Sequence, residues 1–477
     1  MAKDQKNDRT SSNNINNSSK QLPNKHLSQN VQFFIKNPKQ GLRKVAWPIF
    51  ISMFVHTLYN VVDTAFVGRL GPEALAALTF SFPFFFLMLS LNIGLVVGLT
   101  SLMAKKIGAK QYHQAQVVFY HGLGISALLS IGVFIGFFFG MKSFFVFLGA
   151  SGTVLALALD YFSILVFGVF FMYTASAFNA LFASQGNTKV PMKIQVSMLL
   201  LNIVLDPLFI YGFKLGVKGA ALATLIALFG SVLLYWYYRK ESSILLKKKT
   251  IPKTINTGVL GAIVKLGIPP TGEMIFFSLY IALLNKLFAV FSVHHVAMFG
   301  VVSRLESVAM LPLVALSQGS LTLLGMYYGA KRFDKVQYLS TYAVRLGLGI
   351  SATIGLIFFL FPGFFLSLFS ADSQLRSLGI PYLMINVFTF PFIAISMIFS
   401  RTLLALGHGM PGLIVSVVRN GLIIIPLSYI LVLIVEASYL VIAAAMVAGA
   451  AFAAYLAWAF RRHYFKKIAK TLENKQH

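Results

Sequence analysis

The feature that most limits what this chain can fold into is a series of long apolar stretches, such as residues 117–140 and 352–369. A helix needs roughly 20 apolar residues to cross a bilayer. Many such stretches in one chain imply a bundle of spanning helices, because a membrane barrel would alternate apolar and polar residues instead. Only 11% of the 477 residues are charged, well below the roughly 25% of a soluble domain.

The pattern places span starts near Arg43, Pro72, Val117, Thr153, Lys189 and Val217, and again near Val264, His294, Thr341, Leu378, Met410 and Ala437. Residues 1–39 are rich in Asn, Ser, Gln and Lys and have no apolar run of the kind a signal peptide carries, so they read as a disordered cytoplasmic tail. Spans 1–6 fill 40–238 as an N-terminal lobe, and 239–263, with Lys247, Lys248 and Lys249, is a cytoplasmic linker. Spans 7–12 fill 264–464 as a C-terminal lobe, followed by a tail at 465–477.

A net charge of +27 would suit a nucleic-acid binder, but the placement of the cations does not. With the N-terminus inside, 32 Lys and Arg fall in cytoplasmic segments and 6 outside, while Arg304 and Arg419 lie within spans. That asymmetry follows the positive-inside rule, with both termini cytoplasmic and an even number of spans. No nucleic-acid partner is expected. The absence of cysteine removes disulfides, thiol catalysis and thiolate metal sites.

The chain also repeats itself. Residues 98–116 read GLTSLMAKKIGAKQYHQAQ and residues 319–337 read GSLTLLGMYYGAKRFDKVQ, with Gly-Ala-Lys at 108–110 and 329–331. The same offset of 221 carries Pro48 to Pro269, Tyr161 to Tyr382 and Gly186 to Gly407. Six spans per half make this a parallel repeat, with the substrate path expected between the halves. The expected fold is an all-α membrane protein of twelve transmembrane helices in two six-helix lobes.

Ionisable residues inside the membrane cost about 3 kcal/mol each on insertion scales and are functional candidates by default. In span 1, His56, Asn60 and Asp63 share one helix face, and in span 5 Asn202 and Asp206 do the same. Pro207 then leaves the Ile203 carbonyl without its helical donor. Asn179 in span 4 and Thr224 in span 6 complete a set of oxygen ligands suited to Na⁺, whose carboxylates could equally carry H⁺. The plainer alternative is that these groups only bridge helices by hydrogen bonds. The repeat argues against it, because the positions 221 residues further on are Leu284, Ser400, Ile423, Leu427 and Ala445. In the second half, Glu273 is expected to pair with Arg304 or to help bind a cationic substrate. Glu306 and Arg419 receive no role. No nucleotide-binding loop or hydrolase motif is present, so an enzyme is not expected.

The stretches at 47–71 (WPIFISMFVHTLYNVVDTAFVGRLG), 176–192 (SAFNALFASQGNTKVPM) and 202–224 (NIVLDPLFIYGFKLGVKGAALAT) resemble the multidrug and toxic compound extrusion (MATE) transporters, across roughly residues 40–464. The resemblance implies a V-shaped cleft and drug efflux driven by Na⁺ or H⁺, with no other cofactor. It is nearest the DinF-like, archaeal-type branch, whose acidic N-lobe site falls on Asp63, Asn179, Asn202, Asp206 and Thr224. Pro48 and Tyr161 match residues tied there to bending of helix 1 and to the N-lobe pocket; His56, Tyr59, Asn60 and Glu273 are further cleft candidates. The NorM-like branch adds acids on spans 7 and 10, but here Phe277 holds the span 7 position. The resemblance thus implies a monomeric plasma-membrane antiporter of organic, cationic or amphipathic solutes, surrounded by lipid. A lipid-linked precursor flippase is the alternative.

Overall fold

The computed structural model describes residues 25–242, 244–245, 254–369 and 372–474. Among these residues, ten helices are long and apolar enough to cross a membrane, and two further pairs, each bent at a short break, bring the spans to twelve. Spans 1–3 are Pro38–Gly68, Pro72–Gly108 and Tyr112–Phe147. Span 4 is Gly152–Leu165 with Gly168–Ser184, span 5 is Lys189–Gly212 and span 6 is Val217–Tyr238. Spans 7–9 are Thr257–Ala289, Val293–Gly329 and Phe333–Leu360. Span 10 is Ser373–Asn386 with Thr389–Ala405, span 11 is Met410–Leu433 and span 12 is Leu440–Glu473.

Several edges differ from the sequence reading: spans 1, 3, 9 and 10 begin at Pro38, Tyr112, Phe333 and Ser373 rather than near Arg43, Val117, Thr341 and Leu378. Residues Lys25–Lys36, inside the segment expected to be disordered, form a helix. Its Val31 and Phe34 are buried, which gives this polar stretch an apolar face to dock. Span 7 begins at Thr257, capped by the Asn256 side chain accepting from the Val259 N–H, so the linker is shorter than 239–263. Span 12 continues to Glu473, through most of the expected tail. Residues 1–24 and Lys247, Lys248 and Lys249 lie outside the described residues.

The repeat is carried into three dimensions position by position. Span 4 bends by 45° between Leu165 and Gly168, and span 10 by 50° between Asn386 and Thr389, the same places after a shift of 221. Lys110 and Lys331 both take the left-handed conformation at φ 60° and 57°. Gly186 and Gly407 end their spans at φ 73° and 97°, where a Cβ would be strained.

The lobes meet along spans 1 and 8 and spans 2 and 7. Without a hydrophobic drive between helices in lipid, such contacts depend on close packing at small residues. A Cβ on Gly98 would lie 2.7 Å from the Ile263 carbonyl and 3.2 Å from the Gly267 nitrogen; its repeat mate Gly319 touches Ala46, the mate of Gly267. At the far end of the seam Gly108 lies on the Met326 backbone, and Gly329 lies on that of Lys105. Each contact is the other's image under the repeat. One hydrophobic cluster runs through the N-terminal lobe and across the seam into Leu316–Tyr327 and on to Val336, Ile398, Val415 and Ala453, while a second fills the other end of the C-terminal lobe. The Lys25–Lys36 helix closes this end. Phe34 lies against Gly41 and Gly186, and the Tyr327 hydroxyl of span 8 donates to the Phe34 carbonyl at 2.6 Å.

Candidate functional site

Span 1 presents Tyr59 and Asp63 one turn apart, and span 5 presents Asn202 and Asp206 in the same way. Pro207 follows directly and the helix loosens into a π segment, Leu208–Gly212. Proline removes a helical donor there, which permits the wider turn. The Asn202 Nδ2 donates to Asp206 Oδ1 at 3.2 Å, and both residues are fully enclosed, at 1% and 0% exposure. Asp63 and Asp206 lie within electrostatic reach of one another. Tyr161, from the first half of span 4, and Tyr59 both sit in the field of the two acids. The Tyr59 and Thr224 hydroxyls meet at 2.9 Å and tie span 1 to span 6.

The polar accounting of this cluster is incomplete. Asp63 Oδ1, Asn202 Oδ1 and Asp206 Oδ2 are buried oxygens with no hydrogen-bond donor among the described residues. Leaving such a group unpaired costs about 1–3 kcal/mol, and more when it is charged. No cation among the described residues lies within ion-pair distance of either acid; the ion pairs Asp160–Lys218, His294–Asp372 and Arg332–Asp334 are all at the surface. The unpaired atoms of the cluster are therefore all acceptors, which fits a hard cation or a proton.

Beside it is a cavity of about 270 Å³. His56, Tyr59, Asn60, Asn179 and Thr224 line it; Asp63, Asn202, Asp206 and Tyr161 do not. The structure thus divides the predicted residues into an acid cluster and a solute-sized chamber, joined by the Tyr59–Thr224 contact. His56 stacks near Tyr59, with ring centroids 6.4 Å apart, and exchanges a 3.3 Å hydrogen bond with Asn60. Met88, Met172 and Met198 add polarisable, adaptable wall. Sequence reasoning missed Asn92, Gln195, Ser231 and Tyr235, which also line the chamber. Gln195 had a signal: it stands two turns before Asn202 on the same face of span 5. Pro48 is buried within span 1, far along the helix from the acids, where Ser52 Oγ donates to its carbonyl at 2.9 Å.

Glu273 belongs elsewhere, and its expected pairing with Arg304 does not form. Arg304 is exposed and makes no ion pair among the described residues. Glu273 instead faces spans 10 and 11, where the missing side chain of Gly412 leaves room for its Oε1. The cations that act on it are Arg401 and Arg419. Arg401 lies one turn inside the end of span 10.

The sequence model of the MatE family matches residues 48–208 and again 269–430, two stretches that begin at Pro48 and Pro269, 221 residues apart. The chain belongs to the MatE family. Membership makes it a multi-pass membrane transporter, not an enzyme. The Probable multidrug resistance protein YoeA of Bacillus subtilis (strain 168) is 26% identical, aligning 80% of this chain with 85% of that protein. The FAD transporter of Shewanella oneidensis is also 26% identical, covering 81% and 86%. A crystal structure of MATE in the bent conformation superposes with a TM-score of 0.87 at 26% identity, covering 93% of this MatE chain and 98% of that one.

Proposed function

We propose that this MatE protein is an antiporter that exports organic cationic or amphipathic solutes in exchange for Na⁺ or H⁺. The observation that carries the reading is the trio of buried oxygens without donors on Asp63, Asn202 and Asp206, next to a chamber with no Lys or Arg in its wall.

Two ionised acids beside a low-dielectric chamber attract a cationic solute. A proton on Asp206 Oδ2 can be donated to Asn202 Oδ1, which satisfies both orphaned atoms at once. Alternatively, Na⁺ can be held by the carboxylates of Asp63 and Asp206 and the Asn202 amide oxygen. Either event cancels the field that holds the solute, so ion and solute compete across the Tyr59–Thr224 contact. Neutralisation also removes the repulsion between spans 1 and 5. Both are interrupted helices, at Pro48 and at the π segment after Pro207, and can bend at modest cost. We place both termini in the cytoplasm on the Lys and Arg distribution, and take the working unit to be one chain. The relatives' export and transporter names lend no support to a lipid-linked precursor flippase.

The test is uptake of an organic cation by reconstituted vesicles under an imposed Na⁺ gradient alone and then a pH gradient alone. One gradient should drive accumulation that collapses when it is dissipated. Uptake unmoved by either would overturn the reading.

A further inference from the structure

The C-terminal lobe lacks the acids of spans 1 and 5, yet it is not without a buried acid of its own. Glu306, from span 8, accepts a hydrogen bond from the Asn386 side-chain amide of span 10. Asn386 is 1% exposed, and its Oδ1 is a buried acceptor with no donor among the described residues. The arrangement repeats the chemistry of Asn202 and Asp206: an amide N–H on a carboxyl oxygen, with the amide oxygen beside it unpaired. An ionised carboxylate presents only lone pairs and would face that oxygen unfavourably. A protonated one donates its O–H to Asn386 Oδ1 while still accepting from Nδ2, which closes a two-bond ring and satisfies every polar atom of the amide.

We propose that Glu306 and Asn386 form a second proton-binding site, built in the C-terminal lobe from residues that the repeat does not share with the first. The frame around it is shared: Tyr280 and Tyr382, which lie in the field of Glu306, are the repeat mates of Tyr59 and Tyr161. The acid is not, since the mate of Glu306 is Phe85 and that of Asn386 is Leu165.

The other groups near Glu306 leave it without a counter-charge. Span 7 contributes Tyr280 and span 10 contributes Tyr382, whose hydroxyl is directed to Met446 Sδ at 3.1 Å. Arg419 of span 11 acts on Tyr280, and its Nε donates to Asn420 Oδ1. No charged group among the described residues acts on Glu306. Glu306 is half-buried rather than sealed.

The location gives the proton leverage. Asn386 is the last residue before the 50° bend of span 10, and its carbonyl accepts from Thr389 Oγ1 across the break at 2.7 Å. Protonation changes the grip of span 8 on this hinge from one hydrogen bond to two.

The test is infrared spectroscopy of the purified full chain across pH, reading the C=O stretch of protonated carboxyl groups. The background is the Asp63→Asn/Asp206→Asn double variant, so the outcome does not depend on the first site or on transport. A protonated-carboxyl band should persist at neutral pH, vanish at alkaline pH, and be missing when Glu306→Gln is added. Glutamine keeps an amide able to pair with Asn386, so this variant should fold; an Asn386→Leu change on the same background should displace the band, since the two-bond ring is gone. Identical spectra with and without Glu306→Gln would overturn the proposal, as would a band that ignores Asn386→Leu.

Discussion

The two lobes share a skeleton and differ in what they bury. Bends in spans 4 and 10, left-handed Lys110 and Lys331, and the mirrored contacts of Gly108 and Gly329 recur at one offset. At the positions of Asp63 and Asp206 the second lobe has Leu284, fully buried, and Leu427. The shape is therefore held by turn residues, glycine contacts and apolar packing, which both copies need. The buried polar groups are separable from it, because one copy folds with leucines in their place.

The largest test of this contrast is neutralisation of the N-lobe acids. Asp63→Asn and Asp206→Asn should each reduce gradient-driven efflux in vesicles to the level of protein-free controls while leaving the helical circular dichroism unchanged. Efflux at the parental rate in both would remove the functional half of the comparison.

Next in size is the shared seam. Gly108→Leu and Gly329→Leu each force a side chain onto the opposite backbone, and overpacking of this kind typically costs about 1–3 kcal/mol, sometimes more. The two losses, read from thermal unfolding in detergent, should be alike. A large loss at one and none at the other would show that the seam is not symmetric.

A smaller difference separates the paired tyrosines. Tyr59→Phe removes the contact with Thr224 and should lower stability by about 1 kcal/mol. Tyr280→Phe should cost less, because no hydrogen bond of that kind is made by Tyr280 among the described residues. The smallest effect belongs to Asp160 and Lys218, which pair at 3.2 Å in the first lobe where the second has Pro381 and Tyr439. The pair is about half exposed, so Asp160→Ala should change stability by roughly 0.5 kcal/mol or less, and less still in salt.

Much of this was legible in the sequence for physical reasons. Apolar length sets span number, glycine and proline mark the ends, and one-turn spacing put Asn202 beside Asp206. Helix azimuth is what one sequence does not state. Glu273 and Arg304 looked like partners by depth, but span 7 turns its acid toward Gly412 while Arg304 points away. The same gap hid Glu306 and Asn386, which are 80 residues apart and on different helices. The bends also escaped notice: no proline lies near Val166–Phe167, and the signal at Val387–Phe388 was Pro391, whose missing N–H leaves the Val387 carbonyl without its i+4 donor.

The short helix at Lys25–Lys36 sets a condition on any motion that parts the lobes at its end. Phe34 is wedged under Gly186 of the first half, while its carbonyl is held by Tyr327 of the second. The halves cannot separate there until this wedge is drawn out or one of its two attachments lets go. Its undocking free energy is thus a toll on any such motion, set by a dozen residues outside the twelve spans, and it can be tuned without touching either lobe's interior.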